Sequence, residues 1–285
     1  MLTPTTPLKP FLKWAGGKRQ LLSEIWMHLP KDIEKFTYYE PFAGAGAVFF
    51  ELQLKKAVIN DINKQLINVY RVIRDNVKGI VLLLEEYKKN NDNEFFYEIR
   101  NLDREPSVFN KLTDTEKAAR FIYLNKTCYN GLYRVNSKGF FNVPYGRYNN
   151  PAIFDKDVLY QINKYFNSCD IRILCCDFES AVSYADKNAF VYFDPPYHSP
   201  DKKNFTSYQA DKFDELQQER LCNVMINLTE KGVKCLLSSS DTGFIRELYS
   251  KKFFKIIPVQ AKRTINSRPS GRGVVNEILV KNWKD

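Results

Sequence analysis

The stretch Val191-Tyr192-Phe193-Asp194-Pro195-Pro196-Tyr197 constrains this chain more than any other. The apolar run over 189–193 predicts a buried strand, and the two prolines stop it. Proline fixes φ and has no N–H to give to a strand ladder, and it holds the residue before it extended. The chain must leave the strand and at once present a carboxylate, proline-flanking carbonyls and an aromatic face. Open α/β sheets bind ligands at that carboxyl edge. These groups suit a planar NH2: Asp194 and the Pro195 carbonyl each accept one hydrogen, while Tyr197 stacks on the attached ring. Taken alone, the same residues also fit a plain strand exit with a surface aromatic.

The strands and helices around this stretch alternate in two blocks. Tyr38-Tyr39-Glu40-Pro41-Phe42-Ala43-Gly44-Ala45-Gly46 predicts a short strand and a glycine-rich turn, with an apolar helix from Ala47 to about Leu54. A second strand, 57–60, closes on Asp61, where a ribose hydroxyl is commonly gripped. A nicotinamide site would carry a third glycine, which Gly44-Ala45-Gly46-Ala47-Val48-Phe49 lacks. Upstream, residues 1–10 read as an irregular arm. Phe11-Leu12-Lys13-Trp14-Ala15-Gly16-Gly17-Lys18 then opens a helix whose apolar residues are 21, 22, 25, 26 and 29. It is not a P-loop; Lys18 could hold a ligand carboxylate with Trp14 beside it, or the segment is an ordinary turn.

From 66 to 151 the βα rhythm stops. Helices are expected at 64–75, 77–90, 94–102 and 114–127. Ser137-Lys138-Gly139 then turns a hairpin between two β-prone runs. Lys126, Arg134, Lys138 and Arg147 alternate there with Tyr129, Tyr133, Tyr145 and Tyr148, and Asn130, Asn136 and Asn142 lie among them. Arg matches the O6/N7 edge of guanine and Asn matches adenine, so this is a candidate base-reading surface; a solvated hairpin is the competing reading. The rhythm returns with a helix at 155–168 and a strand at 171–176 that runs into Asp177-Phe178. Strand 189–193, helix 211–231, strand 233–238, helix 241–249 and strands near 253–260 and 275–281 follow. Asp177 could meet an adenine amino group and Phe178 its ring face. Loop 198–210, with Lys202, Lys203 and Phe205, could order over substrate. The basic loop 262–273 is either phosphate-contacting or merely solvated.

Composition excludes several classes. Hydrophobic residues at 44% and charged residues at 27% describe a globular chain, and a net charge of +10 favours a polyanionic partner. The six cysteines form no C-x-x-C pair and read as buried free thiols of a reducing cytoplasm. Two histidines make a zinc site unexpected. No signal-peptide pattern and no apolar run of about 18 residues is present, so no membrane partner is expected.

In their order, Lys13 to Lys18, Glu40 to Gly46, Asp61-Ile62-Asn63, Tyr129 to Arg134, Phe141 to Gly146 and Asp194 to Tyr197 resemble the motifs of the Dam-type (class alpha, D12) DNA adenine-N6 methyltransferases, in particular the GATC-recognising branch. The resemblance spans about residues 9–281. It implies an α/β, Rossmann-like S-adenosylmethionine-dependent methyltransferase sheet over 1–65 and 152–285. Residues 66–151 would be an inserted, mainly helical target-recognition domain carrying the hairpin. It implies S-adenosylmethionine as cofactor, double-stranded DNA as partner, no metal, and a cytoplasmic monomer. Asp194, Pro195, Pro196 and Tyr197 match the catalytic motif. Trp14, Ala15, Gly17, Lys18, Glu40, Phe42, Gly44, Gly46, Asp61, Ile62, Asp177, Phe178 and Asp194 match cofactor-binding positions. Lys13, Tyr129, Asn130, Leu132, Arg134, Asn142 and Pro144 match DNA-binding positions. Methylation of RNA or of a protein glutamine would use similar D-P-P-Y chemistry, but the basic–aromatic insertion favours DNA. A nucleic-acid-binding module without catalysis would not need Lys18, Asp61 and Asp194. A nicotinamide-dependent dehydrogenase is the most distant reading.

Overall fold

The computed structural model describes residues 8–14, 16, 18–199, 213–262 and 274–284. The arm at 1–7, Ala15, Gly17, the loop with Lys202, Lys203 and Phe205, and the basic loop from 263 to 273 lie outside the described residues. Among those described are seven strands of a mixed sheet and eleven α-helices, an α/β architecture. In chain order the first elements are α1 (Leu22–Met27), β1 (Thr37–Glu40), α2 (Ala47–Leu52) and β2 (Lys56–Asn60). Then come α3 (Lys64–Asp75), α4 (Val77–Lys89), α5 (Asn93–Asn101), α6 (Pro106–Phe109), α7 (Asp114–Thr127) and α8 (Lys156–Ser168). The remainder is β3 (Asp170–Leu174), α9 (Phe178–Ala181), β4 (Ala189–Phe193), α10 (Glu215–Glu230), β5 (Lys234–Ser240), α11 (Gly243–Leu248), β6 (Lys255–Lys262) and β7 (Val274–Lys281).

Two compact units share these elements. The first is built from the described residues of Met1–Gly17, Gly44–Gln53 and Asp61–Cys175; the second from those of Lys18–Ala43, Leu54–Asn60 and Cys176–Asp285.

In the second unit the strands lie in the order β2-β1-β4-β5-β7-β6. β1 pairs in parallel with β2 and β4, and β4 with β5. β7 runs antiparallel between β5 and β6. Every residue of β4, Ala-Phe-Val-Tyr-Phe, is buried, as expected of a central parallel strand covered on both faces. Chain order reverses beside β1, with β2 on one flank and β4 on the other. Such a switch point opens a crevice at the carboxyl ends of the strands, and Asp194 leaves β4 there. The buried Asn60 at the end of β2 ties neighbouring turns together. Its amide donates to the carbonyls of Pro41 and Cys176, each at 3.0 Å, and accepts the Cys176 N–H at 2.9 Å.

In the first unit α7 is the core helix. Ala118 to Asn125 and Thr127 are all buried, and the helix packs on α3, α4 and α5. A helix buried all round must satisfy any polar side chain it carries, which puts demands on Arg120 and Asn125. Its start is fixed by a capping box: Thr113 Oγ accepts the Glu116 N–H, and the Glu116 carboxylate accepts the Thr113 N–H at 2.7 Å. The hairpin beyond α7 bends where the sequence places Ser137-Lys138-Gly139. Val135 and Phe141 form an antiparallel bridge, Asn136 N–H donates to the Phe140 carbonyl at 2.9 Å, and Gly139 has φ 80°.

All six cysteines are free; Cys128, Cys222 and Cys235 are buried as expected, whereas Cys169, Cys175 and Cys176 are partly exposed. The expectation of buried thiols fails for those three because they sit at element ends, with Cys169 following α8 and Cys175-Cys176 following β3. No helix among the described residues is long and apolar enough to cross a membrane. No cluster of three or more His, Cys, Asp or Glu side chains that could hold a metal lies among them.

Candidate active site

Asp194 is the centre of the polar cluster in the second unit. Its Oδ1 takes the Lys18 ammonium at 2.8 Å and the Ser238 hydroxyl at 3.0 Å. Ser238 Oγ lies 2.9 Å from Tyr192 Oη. A serine hydroxyl has one proton to give, so with that proton on Asp194 the Tyr192 phenol is the donor in the second bond. Both donors fall on one carboxylate oxygen; among the described residues Oδ2 has no hydrogen bond, so it is the acceptor that remains for a ligand. Burial pushes the Asp194 carboxyl above its ordinary range, and Lys18 and Ser238 oppose that shift.

Tyr197 is held on two sides. Its hydroxyl donates to Glu277 Oε2 at 2.7 Å, and the Lys18 Nζ sits 4.6 Å from its ring centroid. Burial, then the neighbouring Asp194 and Glu277 charges, push the phenol well above its usual range; it keeps its proton and remains the donor. Between them, Pro195 is buried and Pro196 exposed. The Pro196 carbonyl takes the Gln218 amide of α10 at 2.9 Å, which anchors the exit from β4.

Other expected site residues of this unit have firm partners. The buried Glu40 accepts the Tyr38 hydroxyl at 2.7 Å. Phe42 stacks on Phe178 at 5.3 Å between centroids and meets Phe213 edge-on. Asp177 caps α9 and forms a two-pronged pair with Arg220, Nη2 to Oδ1 at 2.5 Å and Nη1 to Oδ2 at 3.0 Å. The same guanidinium lies 4.6 Å above the Phe178 ring. Arg220 thus shares Asp177 with any ligand, a partner that sequence reasoning did not name.

The first unit holds the glycine turn. Gly44 and Gly46 have φ 50° and 69°, the left-handed region glycine tolerates. A Cβ on Gly44 would lie 2.8 Å from the Trp14 ring, and one on Gly46 would lie 2.9 Å from Tyr70 Oη. Asp61 Oδ2 accepts the Gly44 N–H at 3.0 Å, and Oδ1 accepts the Asn63 N–H at 2.9 Å. Asn63 also caps α3, so the helix start fixes the acid. Burial raises the Asp61 carboxyl, with the Asn63 and Gly44 N–H groups opposing. Trp14 stacks on Tyr133 at 5.8 Å and Phe121 at 6.2 Å, while Ile62 is 73% exposed, unusual for so large an aliphatic.

All seven expected DNA-binding positions also fall in this unit, and most are tied to one another or to shared partners. The buried Asn125 accepts the Lys13 N–H at 2.9 Å and donates to the carbonyls of Lys13 and Gly131 at 2.8 and 3.1 Å. Asn130 has φ 57° and gives its N–H to the Tyr148 hydroxyl at 2.9 Å; Lys13 Nζ lies 4.8 Å over that ring. Tyr129, half exposed, donates its N–H to the carbonyl of the exposed Pro144 at 2.9 Å. Arg134 Nε donates to Asn142 Oδ1 at 2.8 Å across the hairpin. Leu132 is partly exposed beside them.

Ser238, Glu277, Gln218 and Asn125 escaped sequence reasoning. A signal existed for two of them: Ser238 is the first polar residue after Cys235-Leu236-Leu237, and Glu277 is the acid just before the apolar run Ile278-Leu279-Val280.

Residues 14–265 match the family model of the D12 class N6 adenine-specific DNA methyltransferases. The Type II methyltransferase M1.LlaDCHI of Lactococcus lactis subsp. cremoris is 45% identical over 277 residues, covering 97% of this chain and 96% of that one. The Type II methyltransferase M.MjaIII of Methanocaldococcus jannaschii is 43% identical, covering 97% and 99%. A DNA adenine methylase of Haemophilus influenzae is 36% identical, covering 98% and 95%. With a family match over most of its length and relatives matched nearly end to end, this chain belongs to the D12 class of N6 adenine-specific DNA methyltransferases.

Proposed function

We propose that this methyltransferase moves a methyl group from S-adenosylmethionine to N6 of an adenine in double-stranded DNA, within the sequence GATC. The observation that carries the reading is the Asp194 carboxylate, with one oxygen anchored by Lys18 and Ser238 and the other left to accept. The target adenine must leave the base stack, because its N6 is enclosed in the duplex. Asp194 Oδ2 and the Pro195 carbonyl then accept the two N6 hydrogens, and Tyr197 stacks on the ring. Two acceptors on the amine keep its lone pair on nitrogen and directed away from them. Once N6 has formed its new bond, one N6 proton departs along the Asp194 side to solvent, so Asp194 holds the amine without first having to deprotonate it.

S-adenosylmethionine, when bound, supplies an electrophilic methyl on a sulfonium. The glycine turn fits such a cofactor. Each Asp61 oxygen accepts one backbone N–H, and a carboxylate has about four acceptor sites, so two remain for ribose hydroxyls. Gly44 and Gly46 bring bare backbone to that acid, with Trp14 as an apolar wall. Lys18, Glu40, Phe42, Ile62, Asp177 and Phe178, together with Ala15 and Gly17, complete the proposed cofactor set. Arg134, braced by Asn142, reads guanine, and Asn130 reads adenine; Lys13, Tyr129, Leu132 and Pro144 contact or wedge the neighbouring bases. The Type II relatives support a place in restriction–modification, and we assign the enzyme as a cytoplasmic monomer working without a metal.

The test is transfer of label from S-adenosylmethionine to duplexes containing GATC, GTTC or a scrambled site. The reading expects label on the GATC adenine alone. Label on a different adenine-containing site would overturn the assigned base readers, and no label on any duplex would overturn the assigned reaction.

A further inference from the structure

Three charged side chains are packed into the helical unit where neither the cofactor nor the base readers use them. Arg120 on α7 is 2% exposed and Asp103 is 6% exposed. Arg120 pairs with Asp103 Oδ2 at 2.8 Å and donates to the carbonyls of Ile99 and Arg100. Asp103 Oδ1 takes Arg104 at 2.9 Å. Burying an ion pair is costly, and an apolar set of the same volume often serves stability as well or better. The arrangement calls for a reason beyond stability, and the hairpin supplies it.

Asn136 N–H bonds the Phe140 carbonyl, and Asn142 N–H bonds the Arg134 carbonyl. Val135 and Phe141, bridged between those bonds, are therefore the non-hydrogen-bonded pair of the ladder. The N–H and carbonyl of Phe141 point to the outer edge, where a third strand would pair. Side chains take that strand's place: Asp103 Oδ2 accepts the Phe141 N–H at 2.8 Å, and Arg104 Nη2 donates to the Phe141 carbonyl at 3.0 Å. The next residue is Asn142, whose side-chain oxygen holds Arg134 Nε.

We propose that Asp103 and Arg104 are positioning residues for base discrimination, a side-chain substitute for a third strand that fixes the register of the hairpin and through it the Arg134 guanidinium. The inference rests on the assignment of Arg134 as a base reader. Arg120 pairs with the same Asp103 oxygen that accepts the Phe141 N–H, which fixes that oxygen at the hairpin edge.

Arg104 is 30% exposed, so Arg104→Met can lose its donors while keeping an apolar stem in place. Single-turnover methylation of a GATC duplex and of duplexes with one altered base pair is measured for the wild type, Arg104→Met and Arg134→Ala, alongside KM for S-adenosylmethionine and the thermal midpoint. Small misplacements of a positioned group cost between about tenfold and a hundredfold. Arg104→Met is expected to reduce discrimination by about tenfold and raise KM for DNA, with KM for S-adenosylmethionine unchanged. Arg104→Lys, which restores a donor to the Phe141 carbonyl, is expected to recover part of the loss and serves as the test if the methionine variant does not fold. Discrimination lost in Arg134→Ala but intact in the Arg104 variants overturns the inference and spares the base-reader assignment. Discrimination intact in Arg134→Ala overturns that assignment and the inference with it. A loss in Arg104→Met that is equal on all duplexes and tracks a lowered thermal midpoint marks a purely structural role and also overturns it.

Discussion

At the scale of single residues, the chemistry turns on which oxygen of Asp194 is occupied. Lys18 and Ser238 both bind Oδ1, and each favours the ionised form that burial disfavours. In the proposed mechanism the amine-holding form of Asp194 is the carboxylate, so activity is expected to fall as pH drops through a pKa that lies above the ordinary aspartate range. Lys18, Tyr192 and Tyr197 interact with it directly, Glu40 and Glu277 act on Tyr192, and Glu277 acts on Tyr197 as well. Ser238→Ala deletes one donor, which moves the acid limb of the kcat profile to higher pH. At neutral pH it lowers kcat by about tenfold, the equivalent of one charge-assisted hydrogen bond of roughly 1.5 kcal/mol. An acid limb that stays in place or moves to lower pH would remove Ser238 from the account. Asp194 and Tyr197 are legible in the sequence because prolines force their exposure at a strand end. Ser238 and Glu277 carry only a local mark as polar residues at the edge of an apolar run, and pairing of distant strands is what brings them to the site: Phe193 sits opposite Leu237, and Ser240 opposite Glu277.

Elements were legible wherever local chemistry decides them. The helices expected at 64–75 and 114–127 have those bounds, and the strand at 189–193 does as well. Asn63 and Thr113 cap the two helices with their own side chains, a signal contained within a few residues. The helix expected from the apolar residues 21, 22, 25, 26 and 29 is instead a 3-10 turn at Lys18–Gln20 followed by α1. Leu21, the residue before α1, offers no side-chain cap, so apolar spacing alone overstated its length. The edge bonds that support the hairpin join residues 37 and 38 positions apart, beyond the reach of any local pattern. Thr113→Ala removes the half of the capping box that the Thr113 hydroxyl supplies and leaves its backbone N–H on Glu116, at a cost of about 1 kcal/mol in urea unfolding. It is expected to leave discrimination between duplexes unchanged, since α7 is held along its length by α3, α4 and α5. A loss above about 3 kcal/mol, or altered discrimination, would show that the helix start contributes more than a cap.

For the whole molecule, a net charge of +10 sets how it meets DNA. Counterion release makes affinity for a duplex fall steeply with salt, by about a thousandfold between roughly 50 and 200 mM when about six phosphates are contacted. The same slope is expected on cognate and scrambled duplexes, because phosphate contacts carry no sequence; a flat dependence on either would contradict a phosphate-gripping surface. Fold class was legible from the interrupted βα rhythm, whereas the antiparallel insertion of β7 between β5 and β6 was not, because neither strand carries a local mark of its neighbour. The account as a whole rests on Asp194 holding the target amine. The most direct measurement is the single-turnover methylation rate of Asp194→Asn at saturating S-adenosylmethionine and duplex, with binding of both measured in parallel. The side-chain amide keeps the size but loses the charge. The account predicts a fall of at least about a hundredfold with both ligands still bound, whereas near-normal methylation by that variant would contradict it.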